Sequence, residues 1–168
     1  ERRLTADESA VLVRSVTNDR QAKEFDATKE CNFAIAPAGI GRFRVSAFVQ
    51  QGHPGAVLRT INAKIPSIEE LDLPPILKDV VMAKRGLVIV VGGTGSGKST
   101  TLAAMVGVRN ENSRGHIVTI EDPVEFIHPH RNCVVTHREV GVDTENWQAA
   151  LKNTLRQAPD VKIGRAHV

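Results

Sequence analysis

Aromatic residues are scarce in this sequence: its 168 residues include no tyrosine, one tryptophan and five phenylalanines, or 4% in all. Proteins that hold single-stranded nucleic acid usually stack its bases on aromatic side chains within a basic groove. Here the formal net charge is only +3, and the basic residues are spread along the chain instead of forming a dense run. The composition therefore disfavours a nucleic-acid-binding protein.

Cysteines and long apolar runs are also few. The two cysteines, Cys31 and Cys133, are far apart, so they predict neither a zinc site nor a disulfide framework and favour a reducing compartment. No stretch approaches the ~18 apolar residues of a membrane span, and the first residues do not resemble a secretory signal. The sequence starts with Glu1, so we expect a truncated N-terminus. The hydrophobic content of 41% is typical of a globular protein with a core.

The most specific motif is G-x-x-x-x-G-K-[ST], which directly follows the apolar run 87–91. A buried strand that leads through a glycine-rich turn into a helix brings backbone N–H groups together around phosphate oxygens. We therefore predict a phosphate-binding loop. Its residues are Gly92, Gly93, Thr94, Gly95, Ser96, Gly97, Lys98, Ser99 and Thr100. The alternative is a glycine-rich strand-to-helix turn that binds no ligand.

Three carboxylates form a second candidate site. The predicted strand 116–120 leads into Glu121 and Asp122, and Glu125 follows shortly after. Ligands of open α/β sheets bind beside the carboxyl ends of the strands, so these groups are well placed for Mg²⁺ and for a hydrolytic water. In the phosphate loop, Lys98 is expected to bridge the β- and γ-phosphates of ATP, and the Ser99 hydroxyl to coordinate Mg²⁺. Without that loop, a capping or turn role for Glu121 and Asp122 would be favoured.

The order of predicted elements indicates two domains of mixed α/β class. A helix over 5–23 and strands over 31–36, 42–49 and 56–61 indicate a small α+β domain. The proline-rich stretch that follows predicts a linker with a hinge near 62–67. Beyond it, a helix over 76–84 precedes a βαβ pattern with a mostly parallel sheet. Its elements are a strand at 87–91, the loop and its helix, strands at 116–120 and 133–136, and a helix at 144–157.

The last residues predict a non-native tail. Residues 163–168 are what ATC GGA AGA GCA CAC GTC encodes, a string found in a common short-read sequencing adapter. We therefore expect the native sequence to continue differently after Val161; a short polar native tail is the alternative. The predicted domains are an N-terminal domain at 1–63, a linker at 64–75, the first half of an ATPase domain at 76–161 and the tail at 162–168.

Several segments together resemble one family over 32–161. GGTGSGKSTT, TIEDPVEFIH, REVGVDT and ALKNTLRQAPD, with GRFRVSAFVQQG and IEELDLPPILKD upstream, are similar to the type IV pilus retraction motor ATPases. These form the PilT/PilU branch of the GspE-like secretion ATPase superfamily. The segment FAIAPAGIGRFRVSAFVQ is more similar to the PilU-like accessory motors than to the principal retraction motors.

The resemblance implies a hexameric ring, in which a PAS-like N-terminal domain packs on the RecA-like P-loop domain of the next subunit with ATP between them. It implies that Glu121, Asp122 and Glu125 are the aspartate-box carboxylates, that Glu125 polarises the attacking water, and that Asp122 joins Ser99 at the nucleotide's Mg²⁺. Arginines of the N-terminal domain reach the phosphates in this family. Arg42, Arg44 and Arg59 stand at the matching strands, and Arg44 and Arg59 are the stronger candidates; outside the family context each could be a solvated strand residue.

The implied activity is ATP hydrolysis that drives pilus retraction and twitching motility. The implied partners are further subunits of the same or a related retraction ATPase and the inner-membrane platform protein of the pilus, with no nucleic acid. The implied location is cytoplasmic, peripheral to the inner membrane at the pilus base. Alternatives are a type II secretion or pilus assembly ATPase, a RecA-like nucleic-acid motor, and a non-catalytic nucleotide-sensing or ring-assembly module.

The family's Walker B segment and histidine box should follow Val161, and neither is present, so we expect little ATP hydrolysis from this fragment. None of the histidines has a histidine-box context. They are His53, His116, His128, His130, His137 and His167. The HPH sequence at 128–130 lacks the further ligands of a metal site, so we predict loop or surface histidines there.

Overall fold

The computed structural model describes residues 2–61 and 64–166. The chain divides into two compact units after Ile61. The predicted hinge begins with Asn62 and Ala63, which lie outside the described residues.

The first unit combines two helices with an antiparallel sheet, as predicted for a small α+β domain. The sheet has the order β1-β2-β3, in which β2 pairs antiparallel with both neighbours. The elements are α1 (Ala6–Ser15), α2 (Asp19–Thr28), β1 (Glu30–Ile35), β2 (Arg42–Gln50) and β3 (His53–Ile61).

The single helix predicted over 5–23 is wrong, because the chain restarts a helix at Asn18. The Asn18 side chain accepts a hydrogen bond from the Gln21 amide at 2.9 Å, and the Gln21 side chain accepts one from the Asn18 amide. This reciprocal pair is a capping box, which satisfies two amides at a helix N-terminus. Apolar periodicity passes through the break, whereas the capping side chain determines where the second helix begins.

One face of the first sheet carries the core of this unit. Val45 and Ala47 of β2 are buried, and they pack in one cluster with Phe33 of β1, Val13 of α1 and Phe25 of α2. Since successive strand residues point to opposite faces, the residues between them lie on the other face of β2.

The second unit contains a parallel sheet with the order β5-β4-β6, which confirms the predicted mixed α/β class with a mostly parallel sheet. Both neighbours pair parallel with β4. The elements are α3 (Ile76–Met82), α4 (Lys98–Asn112), β4 (Gly115–Asp122), β5 (Cys133–Glu139), α5 (Trp147–Arg156) and β6 (Val161–Ala166).

The central strand β4 is covered on both faces. Ile117 packs in a cluster with Val106 of α4, whereas Val118 and Ile120 pack with Ala150 of α5. Odd-numbered positions of β4 therefore face α4, the helix that follows the phosphate loop. This alternation also determines where the polar residues at the end of β4 point.

The strand predicted at 87–91 is wrong: these residues form no strand within the described part of the chain. Leu87 and Val91 are each 82% exposed and Ile89 is 71% exposed. A cleft of about 720 Å³ is lined by residues 86–90 and by 160–164 of the β6 region. The apolar run thus lies in a cleft beside β6 without pairing with it. An apolar pattern by itself does not form a strand, because a strand also needs the backbone hydrogen bonds of a neighbouring strand.

Strand β6 includes residues 162–166 of the predicted tail, in register from Ile117 opposite Val161 to Asp122 opposite Ala166. The non-native origin of this tail stays a prediction. Across 2–61 and 64–166, no helix has the length and apolar character needed to cross a membrane.

Candidate nucleotide-binding site

The phosphate loop forms a turn that ends where α4 begins at Lys98. Gly95 and Gly97 have φ angles of +80° and +86°, a left-handed conformation that glycine adopts without steric cost. A Cβ atom on Gly92 would lie 2.6 Å from Ser96 Oγ. The loop backbone is therefore shaped by glycines, as a close approach to a phosphate requires.

The Lys98 ammonium turns back over this loop. Its Nζ donates hydrogen bonds to the carbonyl oxygens of Gly92 and Gly93, each at 2.8 Å. Ser99 and Thr100 occupy the first turn of α4, and both are half-buried. The predicted loop residues thus form a turn that leads into the first turn of α4, with the cationic side chain directed toward it. The N-terminal end of a helix favours negative charge.

Glu121 is brought to the same side of the sheet as the phosphate loop. It is an odd-numbered residue at the carboxyl end of β4 and is 8% exposed. A cavity of about 20 Å³ is lined by Ser99, Thr119, Glu121 and His128, among others. Carboxylates at the end of this strand were predicted to lie near the phosphate loop, and Glu121 lines one cavity together with Ser99 of that loop.

The other two carboxylates lie in less enclosed positions. Asp122 ends β4 and Glu125 lies in the segment that follows, and both are half-buried. Glu125 forms an ion pair with Arg165. Arg165 also lies 3.4 Å from Glu121 and donates a hydrogen bond to the Pro123 carbonyl at 2.7 Å. The Arg165 guanidinium thus forms ion pairs with two of the three predicted carboxylates, Glu121 and Glu125.

Two histidines extend the site behind Glu121. His128 lies in a loop, as one of the two predicted alternatives has it, but it is buried, with 6% exposure, so the surface alternative is wrong for this residue. Its ring stacks on that of His137 with centroids 5.7 Å apart, and its backbone amide donates to His137 Nε2 at 3.0 Å. His137 Nδ1 lies 2.9 Å from Thr119 Oγ1 and 3.9 Å from a Glu121 carboxylate oxygen.

This environment shifts the pKa values of both Glu121 and His128. Burial raises the pKa of Glu121, but hydrogen bonds from His137 and Thr119 and the charges of Arg165 and His137 outweigh burial, so the net pKa is lowered. Burial, assisted by the charge of His137, lowers the pKa of His128 to about 4. At neutral pH the site therefore holds an ionised Glu121 next to a neutral His128.

Glu139 is a buried carboxylate that was not among the residues predicted from the sequence. It is 2% exposed, and its Oε2 accepts a hydrogen bond from the Val124 amide at 3.0 Å. The amide of the next residue, Val140, donates to the Glu121 carbonyl at 2.9 Å. The end of β5 thus fixes the segment that carries Glu125. The REVGVDT segment contained a signal for this buried carboxylate, because it places a charged residue at a position of β5 where an apolar residue is expected.

The candidate arginines lie in the first unit, on the face of β2 opposite the core. Arg44 is paired directly with Arg59 of β3 in the strand register, and Arg59 is exposed while Arg44 is half-buried. Arg42 lies on the same face, and its Nε atom is buried without a hydrogen-bond partner. Three guanidinium groups are therefore concentrated on one face of this sheet.

No group of three or more histidine, cysteine or acidic side chains among residues 2–61 and 64–166 could hold a metal ion by itself. Mg²⁺ usually retains water ligands and binds one or two protein groups together with substrate phosphates. A hydroxyl at Ser99 and carboxylates at the end of β4 are donors of that type, so the residues present fit a metal held through a nucleotide.

Comparison with known proteins shows which family the chain belongs to. The sequence profile of the family described as Type II/IV secretion system protein matches residues 29–164. The chain is 59% identical over 158 residues to the type IV pilus ATPase PilU of Pseudomonas aeruginosa, covering 94% of this chain and 41% of that protein. It is 47% identical to the type IV pilus retraction ATPase PilT of the same organism, covering 89% of this chain and 44% of that protein.

A solved structure shows the same fold. The crystal structure of the pilus retraction motor PilT with bound ADP superimposes with a TM-score of 0.90 at 38% identity, covering 95% of this chain and 46% of that one. The chain therefore spans less than half the length of these relatives. With a profile match over most of its length and this shared fold, the chain belongs to the Type II/IV secretion system protein family.

Proposed function

We propose that this chain is the ATP-binding part of a hexameric motor ATPase that powers type IV pilus retraction by ATP hydrolysis. The observation that carries the proposal is the Lys98 ammonium, held over a glycine-shaped loop at the start of α4. The identity of 59% to a type IV pilus ATPase supports the biological role. The domain division at 1–63, 64–75, 76–161 and 162–168 is part of the same proposal.

In the proposed site, residues 92–100 bind the phosphates of ATP. Their backbone N–H groups and the α4 N-terminus attract negative charge, and Lys98 exchanges its two carbonyl partners for phosphate oxygens. Mg²⁺, when bound with the nucleotide, would neutralise charge that develops on the phosphates. Ser99 and Asp122 are the residues that would hold it.

The acidic residues have separate proposed roles. Glu125 orients the attacking water, and Glu121 keeps an ionised carboxylate beside Ser99 at the edge of the phosphate loop. Arg44 and Arg59 act on the γ-phosphate of a neighbouring subunit, where positive charge stabilises the transition state. Their exposed face and direct pairing support a role outside the core of their own unit.

The proposed assembly is a homo-hexamer or a mixed ring with a related retraction ATPase. The proposed location is the cytoplasmic side of the inner membrane at the pilus base, beside the platform protein. The solved relative is described as a pilus retraction motor, which supports these partners by analogy.

The test uses a chimera in which residues 1–161 replace the matching segment of the Pseudomonas aeruginosa PilU protein. The chimera should bind ATP and hydrolyse it, and it should restore twitching to a strain that lacks that protein. Lys98→Ala should abolish ATP binding or turnover, because the loop loses its only side-chain charge for phosphate. Lys152→Ala, an exposed α5 residue, is the matched control and should behave as the native chimera.

Two results would contradict the proposal. Equal ATP affinity and turnover in Lys98→Ala and Lys152→Ala would remove the loop from nucleotide binding. An active ATPase that restores protein secretion or pilus assembly instead of twitching would favour the type II secretion or assembly alternative.

A further inference from the structure

His137 belongs to a chain of hydrogen bonds that leads from a loop amide to the candidate catalytic carboxylate. A backbone N–H can only donate, so the His128 amide requires an unprotonated Nε2 on His137 at their separation of 3.0 Å. In the neutral ring the proton must then be on Nδ1. That atom lies 2.9 Å from Thr119 Oγ1, so it donates to the hydroxyl.

The remaining link reaches Glu121. The Thr119 oxygen accepts a hydrogen bond from His137, so the Thr119 hydroxyl can donate its own hydrogen to another acceptor. Glu121 lies two residues further along β4, on the same face of the strand. His137 Nδ1 is itself only 3.9 Å from the Glu121 carboxylate. Glu121 is 8% exposed, so few water molecules compete with these donors, and the protein groups determine its orientation.

The surroundings of His137 keep this arrangement fixed. Its side chain is only 13% exposed, and the His128 ring is stacked on it with an interplanar angle of 15°. On the Glu121 side, Arg165 also lies within ion-pair distance of the carboxylate, at 3.4 Å. The ring is therefore held by packing on one face and by hydrogen bonds at both nitrogens.

We propose that His137 is a positioning residue for ATP hydrolysis, locked as the Nδ1–H tautomer by the His128 amide so that Thr119 and Glu121 are held in one orientation beside the phosphate loop. This inference rests on the proposed ATPase function. His137 is not among the described residues that line the cavity beside Ser99. Its effect passes through Thr119 and Glu121 to the cavity that Ser99 also lines.

The first test measures the tautomer directly in the 168-residue chain. The ¹⁵N chemical shifts of neutral imidazole separate a protonated Nδ1 from a protonated Nε2. We expect His137 to show a protonated Nδ1 and an unprotonated Nε2, and the His128 amide to exchange slowly with deuterium. A protonated Nε2 on His137 would overturn the hydrogen-bond chain whatever the activity of the protein.

The second test compares His137→Leu with His137→Gln in the PilU chimera. Leucine removes both hydrogen bonds, whereas glutamine keeps one acceptor and one donor at the end of its side chain. We expect His137→Leu to lower kcat for ATP about tenfold or more, with KM within about twofold, because Lys98 and the loop are untouched while the positioning is lost. His137→Gln should recover most of kcat.

His130→Gln is the matched control. His130 belongs to the same HPH sequence but is exposed, and its Nδ1 accepts a hydrogen bond from the Val135 amide at 3.1 Å. It should leave kcat unchanged. Native kcat in His137→Leu, or equal losses in the leucine and glutamine variants, would refute the positioning role. A native chimera that hydrolyses no ATP would instead refute the proposed function and the positioning role with it, while the tautomer result would still decide the hydrogen-bond chain.

Discussion

The two sheets of this chain present their candidate functional residues in opposite ways. The antiparallel sheet β1-β2-β3 buries one face under helices, so Arg44 and Arg59 lie side by side on the other face. The parallel strand β4 is covered on both faces, so its polar residues Thr119 and Glu121 come together at its carboxyl end. A half-covered sheet can offer a broad charged face, whereas a fully covered one offers only the ends of its strands.

Removing an arginine from the charged face of the antiparallel sheet should have the largest effect on catalysis. In the PilU chimera, Arg59→Ala should lower kcat about a thousandfold while ATP affinity changes little, because an arginine acting on the γ-phosphate stabilises charge that develops in the transition state. Single-turnover ATP hydrolysis and nucleotide titration separate the two quantities. Arg20→Ala, an exposed residue of α2, is the control in the same unit and should not alter either.

Mixed rings test whether this arginine acts on a neighbouring subunit. Subunits with Arg59→Ala and subunits with Lys98→Ala should each be inactive alone. Rings that contain both should regain some activity, since certain junctions then combine an intact arginine with an intact loop. No recovery in well-mixed rings would show that Arg59 does not act in trans.

Removing the Glu125 carboxylate, which lies just after the end of β4, should lower turnover because the attacking water is no longer oriented. Glu125→Gln should keep ATP affinity and lower kcat about a hundredfold, because the amide is nearly isosteric but is no longer a base that can orient and polarise water. Steady-state kinetics with separate measurement of ATP binding checks this. Equal turnover in Glu125→Gln and the native chimera would exclude Glu125 from the mechanism and leave Glu121 as the remaining candidate.

The features that the sequence predicted correctly are those that local residues determine. The turn before α4 needs glycines, a lysine and a following helix in one stretch, and β4 is apolar enough to be recognised alone. The run 87–91 was equally apolar, but strand formation depends on a partner that the local pattern does not specify. The helix over 5–23 failed for the converse reason, because the capping interaction of Asn18 overrides a continuous periodicity.

The polar network behind Glu121 could not be predicted for a different reason. His128 and His137 are nine positions apart, and they meet only because the segment after Asp122 folds back to run along β5. An HPH sequence gives no indication of which histidine is buried. Glu139 likewise looks like a surface charge until the Val124 amide is placed beside it.

The smallest effect concerns the stability of the second unit, which contains the buried His128. The pKa of His128 is lowered to about 4 from the ordinary 6.5, so between these pH values the unfolded chain binds a proton that the folded chain does not. The free energy of unfolding therefore falls as pH decreases through this window, by about 2 kcal/mol between pH 7 and 5. Trp147, the single tryptophan, lies in α5 of this unit, so its fluorescence in urea titrations of the 168-residue chain reports the change.

Substitutions separate the contribution of His128 to this pH dependence from the contributions of other titratable groups. His128→Leu should lose its share of the pH dependence, because no side chain at that position then takes up a proton on unfolding. Protonation of Glu121 opposes stability only at lower pH, since its pKa is itself lowered in the folded state. Lys152→Ala, at an exposed residue of α5, should keep the native slope of unfolding free energy against pH. The same slope in His128→Leu and the native chain would mean that His128 can be protonated without unfolding, and that its burial against His137 does not keep it neutral.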